Sequence, residues 1–144
     1  MDCRVSLHAW IDIVLESSSP ERQAQALALL LASGWRLGMN GQVRALSSEK
    51  GDLNWNVFPE ATFDWREYLA RKAQLQERPG LIFFYGDTEI GLDCLWMEER
   101  TLSFSLSVNP VYLDGLKLPD LSWYLARLLP ALGNDLSVVR CEIA

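Results

Sequence analysis

The chain has 144 residues, about the length of one domain, with 49% hydrophobic and 22% charged side chains, an ordinary balance for a globular fold. Its formal charge of −6 sets it against phosphate backbones and anionic lipid, so nucleic acid and membrane surfaces are not expected partners; a basic protein is compatible. No apolar run approaches the roughly 18 residues of a membrane span, the densest being Ala24 to Ala32.

The first strand is the clearest element. Cys3, Val5, Leu7, Ala9, Ile11, Ile13 and Leu15 alternate with Arg4, Ser6, His8, Trp10, Asp12, Val14 and Glu16, a period of two with one buried and one largely polar face. Ser19 caps a helix that Pro20 and Glu21 favour in its first turn, with Ala24, Leu27, Leu30 and Leu31 as its apolar face and Gly34 just past its end. Trp35, Leu37 and Met39 alternate into the Asn40-Gly41 turn, and Val43 and Ala45 lie on the return strand. After a polar turn from Ser47 to Asp52, Leu53, Trp55 and Val57 make a further strand ended by Pro59.

A second helix is expected over 64–78, with Asp64 and Glu67 placed as a capping box and Trp65, Tyr68, Leu69 and Ala73 facing inward. The uniformly apolar stretch Leu81 to Tyr85 reads as a central strand covered on both faces. Ile90, Leu92, Cys94 and Trp96 alternate next, then Leu102, Phe104, Leu106 and Val108. The third helix is expected over 119–132, with Pro130 bending its last turn, and Val139, Cys141 and Ile143 form a last strand. The resulting order is β-α-βββ-α-βββ-α-β: a single α+β domain over residues 1–144, with a mostly antiparallel sheet and three main helices. Leu27, Leu30, Trp65, Leu69, Phe83, Phe104 and Leu125 are the expected core.

Little in the chain points to catalysis. The one histidine, His8, shares a strand face with Trp10 and Asp12, but His8 and Asp12 stand about 13 Å apart along an extended chain, too far to hydrogen-bond. Cys3, Cys94 and Cys141 are odd in number, far apart and in phase with strand interiors, so they read as reduced core thiols rather than metal ligands. No phosphate-binding glycine loop or nucleophile elbow is present, and the hydroxyl ladder Thr101, Ser103, Ser105 and Ser107 has no histidine placed to activate it. A non-enzymatic protein without cofactor or metal is therefore expected. The start, Met1-Asp2-Cys3-Arg4, lacks the basic-then-apolar pattern of a secretion signal, which points to the cytoplasm.

The feature left over is a charge cluster. Asp87, Glu89, Asp93, Glu98 and Glu99 fall within thirteen residues that contain no Lys or Arg. Alternation puts Glu89, Asp93 and Leu95 on one outward face, with Glu98 and Glu99 at the hairpin tip: an acidic surface with apolar area for a basic protein, or a solvated edge that blunts aggregation. Of the six tryptophans, Trp10 alone is expected to point outward, where it would serve as an interface anchor.

The long strand Cys3 to Glu16, the acidic hairpin Asp87 to Glu99 and the tryptophan content resemble the character of bacterial toxin-immunity proteins. That resemblance implies an acidic cytoplasmic inhibitor, monomeric or homodimeric, that blocks a basic toxin domain by binding it. The segment Ser19 to Leu132 is similar in element order to class I type III secretion chaperones, from which the strands Arg4 to Leu15 and Val138 to Ile143 depart. A small enzyme or ligand-binding domain is the third alternative.

Overall fold

The computed structural model describes residues 8–16, 19–47, 54–97, 100–133 and 136–143. In chain order they form β1 (Ala9–Leu15), α1 (Pro20–Ala32), β2 (Trp35–Arg36), β3 (Gly38–Met39), β4 (Gln42–Leu46), β5 (Trp55–Pro59), α2 (Trp65–Gln74), β6 (Gly80–Tyr85), β7 (Gly91–Trp96), β8 (Thr101–Val108), α3 (Leu121–Leu132) and β9 (Leu136–Ile143). The strands make one sheet, β3-β4-β6-β7-β8-β1-β9, with β2 also on β6 and β5 on β4. Every pairing is antiparallel, so the expected α+β class and its mostly antiparallel sheet hold.

The expected strand from Trp35 to Met39 is two short strands. Trp35 lies opposite Tyr85 of β6, whereas Gly38 and Met39 pair with β4. The chain thus changes partner at Leu37 before turning at Asn40 and Gly41, both of positive φ (55° and 74°) as the expected hairpin turn requires.

Ser19 and Asp64 cap α1 and α2 as the sequence implies, whereas α3 starts at Leu121, two residues later than expected. Ser19 Oγ accepts from Arg22 N–H at 3.0 Å, and Asp64 Oδ1 accepts from the N–H groups of Arg66 and Glu67 at 3.0 and 3.2 Å. Asp120 Oδ1 caps α3 through the Trp123 N–H at 3.4 Å. Helix α2 stops at Gln74, four residues short of expectation. Gln76 adopts φ 54°, its N–H bonds to the Ala73 carbonyl, and the Glu77 N–H reaches back to Lys72. These are the two bonds of a Schellman ending, built with glutamine where glycine is usual, which is why composition did not reveal it.

All three helices pack on one side of the sheet. Ile11, Ile13 and Leu15 of β1, Leu102, Phe104 and Leu106 of β8, Leu92, Cys94 and Trp96 of β7 and Leu81 and Phe83 of β6 form one cluster with Leu27 and Leu30 of α1, Leu69 of α2 and Tyr124 and Leu128 of α3. Of the seven expected core residues, Leu27, Leu30, Leu69, Phe83 and Phe104 are buried, while Trp65 and Leu125 are half-buried at the rim of their helices. Trp35, Tyr85 and Trp123 pack edge to face, with the Arg127 guanidinium 4.0 Å above the Trp123 ring.

Tyr68 ties α2 to the sheet. Its hydroxyl accepts from the Gly80 N–H at 3.2 Å and lies 2.9 Å from the Leu46 carbonyl and 3.0 Å from that of Gly80. Burial, partly offset by these contacts, pushes its ionisation up to about 12 from 10.0. The folded state therefore holds the proton more tightly than the unfolded chain, so this part of the stability is intact below pH 10 and drains away as pH rises from 10 toward 12. Tyr68→Phe should cost about 1–3 kcal/mol at neutral pH, by stranding buried backbone groups, and should flatten the alkaline limb of a stability–pH curve measured by chemical denaturation.

Candidate functional site

The opposite side of the sheet carries no helix among the described residues. Since side chains alternate, the same strands that send Ile11, Phe104 and Cys94 to the core send Trp10, Ser105 and Asp93 to this side. Register then sets them in rows. Glu142 of β9 is opposite Trp10 of β1, Trp10 is opposite Ser105 of β8, Ser105 is opposite Asp93 of β7, and Asp93 is opposite Ile82 of β6. The next row runs Arg140, Asp12, Ser103, Leu95 and Gly80. At roughly 4.8 Å between strands, Trp10 and Asp93 lie about 10 Å apart although 83 positions separate them in the chain.

The structure thus brings three of the expected docking residues, Trp10, Asp93 and Leu95, onto one surface, each half-buried. Glu89 is exposed and stands at its rim rather than in its rows. The strand begins only at Gly91, because Thr88 folds the preceding segment into a turn: its Oγ1 donates to the Tyr85 carbonyl at 2.6 Å and accepts from the Ile90 N–H at 3.2 Å. The Glu89 carbonyl in turn accepts from Asn109 Nδ2 at 3.0 Å. Glu98 and Glu99 lie outside the described residues.

An apolar floor supports the face. Leu46, Ile82 and Phe84 are buried yet stand apart from the helix-side cluster. Leu46 and Leu95 converge over Gly80, where a Cβ would come within 2.5 Å of Leu46 and 2.8 Å of Leu95. Phe84 lies over Gly91, its direct cross-strand partner, and the Arg36 guanidinium covers the Phe84 ring at 5.5 Å. Leu81 to Tyr85 is therefore covered on both faces, as its composition suggests, but the cover on this side is side chains of the sheet itself.

The electrostatics of the face are mixed. Asp12, Asp93 and Glu142 alternate with Arg140 and, at the edge, Arg100. Asp12, Arg100, Thr101, Ser103 and Arg140 wall a recess of about 430 Å3. Asp12 beside Trp10 is legible in the sequence, but the meeting of Arg140 and Arg100 with it is not: alternation along Val138 to Ile143 gives the side chain's phase, not the strand it will oppose. Burial raises the Asp93 carboxyl above 3.8, against the lowering effect of the Ser107 hydroxyl at 3.3 Å and of the Ser105 backbone.

Elsewhere the polar groups are engaged in structure. Lys72, almost wholly buried, donates to the Ser47 carbonyl at 3.1 Å and meets Glu77 at 3.5 Å, beside a second recess of about 470 Å3 between α2 and β5. Cys94 is buried, and burial lifts its thiol far above 9.0. Cys141, expected in the core, is exposed: it keeps the helix-side phase, but β9 lies beyond the helices, so nothing described covers it. Its thiol is raised by partial burial and by Asp12, which holds it in the poorly nucleophilic protonated form. Cys3 lies outside the described residues. Among the described residues no three His, Cys, Asp or Glu side chains converge as a metal site, and no helix is long and apolar enough to cross a membrane.

No protein-family model matches the chain, and neither does any curated protein or solved structure.

Proposed function

We propose that this chain is a non-catalytic protein-binding protein, an acidic inhibitor of the immunity type that neutralises a bacterial toxin by docking a basic domain onto the helix-free face of its sheet. The observation that carries the reading is the gathering of Trp10, Asp93 and Leu95 on that face from β1 and β7. An amphipathic ring, an apolar side chain and a carboxylate already partly stripped of water are what a protein interface uses at its centre. Glu89 at the rim, and the overall charge of −6, would steer a basic partner toward it. Such a role places the protein in the cytoplasm of the cell that makes the toxin, with no cofactor and no nucleic-acid partner.

Asp93 supplies a test that separates binding from folding. A carboxyl raised by burial favours the folded state only while protonated, so its contribution is present below pH 3.8 and is lost as pH rises through its folded value. At neutral pH ionised Asp93 is a liability to the fold. Asp93→Asn should therefore raise the melting temperature at pH 7, with the gain vanishing below pH 3.8. In association kinetics with the partner, Asp93→Asn combined with Glu89→Lys should slow binding and flatten its salt dependence, whereas Glu21→Lys with Glu67→Lys, on the helical side, should not. Equal slowing by both pairs would reduce the face to a share of the general field and remove Glu89 and Asp93 from the site.

A further inference from the structure

Strand β9 ends the sheet. Among the described residues it pairs with β1 alone, along Ala9 to Leu15, and every residue from Ser137 to Ile143 is exposed. In an antiparallel sheet each residue turns both its N–H and its C=O to one neighbour, and the next residue turns them to the other. The Leu15 N–H bonds to the Arg100 carbonyl on the β8 side, so the odd residues of β1 face β8 and the even ones, Trp10, Asp12 and Val14, face β9. Their partners Glu142, Arg140 and Val138 are thereby engaged. Val139, Cys141 and Ile143 present their backbone groups to the open edge, and their side chains, on the helix side, are uncovered, with Val139 39% and Ile143 37% exposed.

Such an edge invites another strand. It carries no proline and no lysine, and the one irregularity in its pairing lies at its start, opposite Val14 and Leu15. Its own sequence limits the occupant. Only odd residues can pair through the open edge. If two copies meet about a two-fold axis at Arg140, the two arginines oppose each other. If the axis passes through Cys141, Val139 faces Ile143 of the other copy, and Arg140 faces Glu142 in both directions, at the closer, non-hydrogen-bonded positions.

We propose that β9 pairs antiparallel with β9 of a second copy of this chain about a two-fold axis at Cys141, joining the two sheets into one and closing both edges. Val139, Cys141 and Ile143 of both copies then cover one another between the two helical layers. The helix-free faces stay open and side by side, so the inference stands whether or not those faces bind a toxin.

Sedimentation equilibrium at tens of micromolar should give twice the 16.3 kDa of one chain. Cys141 would face its own copy as a hydrogen-bonded pair about 5.5 Å apart at Cα, within reach of a disulfide. In a Cys3→Ser background, mild copper–phenanthroline oxidation should thus yield a covalent dimer that Cys141→Ser abolishes without dissolving the non-covalent one. Cys141→Pro removes an N–H that points outward, so it should leave circular dichroism unchanged and abolish the dimer. Arg140→Glu should also abolish it, and adding Glu142→Arg should restore it. Should Cys141→Pro unfold the chain, the charge reversal and its rescue decide alone. A monomeric wild type overturns the proposal, as does a dimer that survives Arg140→Glu or one that forms no Cys141 cross-link.

Discussion

Phe104→Ala should lower the unfolding free energy by about 3–5 kcal/mol. Phe104 is fully buried at the middle of β8, with Ile11 opposite on one side and Cys94 on the other. The ring sits under the helical layer, and two flanking strands fix the backbone, so little can collapse into the space left behind. Leu95→Ala, one strand away on the opposite side, should cost only about 1 kcal/mol, because its half-buried side chain leaves a dent open to water rather than a cavity. Urea denaturation of the two variants reads the asymmetry directly. Equal losses would mean that the second face is a closed core, and the docking surface would go with it.

Trp10→Ala should weaken the proposed complex with a basic protein by about 2–4 kcal/mol, roughly thirty- to several-hundred-fold in Kd, while costing the isolated fold little. The ring is half-buried beside His8, at 6.0 Å between centroids, and lies in the row that holds Ser105 and Asp93. It is large, rigid and already partly ordered, so burying it against a partner adds apolar area at small entropic cost. Titration calorimetry with the partner would show the loss. An unchanged Kd would remove Trp10 as the anchor.

Much of this arrangement is written locally. The alternation of Ala9 to Leu15 and of Leu102 to Val108 sets which side chains face the helices, and Ser19, Asp64 and Asn40-Gly41 announce caps and a turn whose bonds the structure contains. What sequence leaves open is pairing. Trp10 and Asp93 are each legible as outward side chains, but their meeting through Ser105 depends on β1 inserting between β8 and β9, a long-range choice with no local signature. Helix coverage is hidden for the same reason. Cys141 has the phase of a core residue and is exposed because β9 lies past the helices, and Glu89 falls out of β7 because the Thr88 side chain holds the turn open two residues longer than alternation suggests.

If the helix-free face binds a protein, as proposed, quantitative affinity capture from an extract of the native cell shows it most directly. Tagged wild type and the Glu21→Lys, Glu67→Lys pair should both enrich one basic protein at near-equal stoichiometry, and the Trp10→Ala, Asp93→Asn pair, folded by circular dichroism, should lose it. Enrichment of no protein, or equal retention by the open-face and helix-side variants, would mean that the helix-free face is not a docking surface.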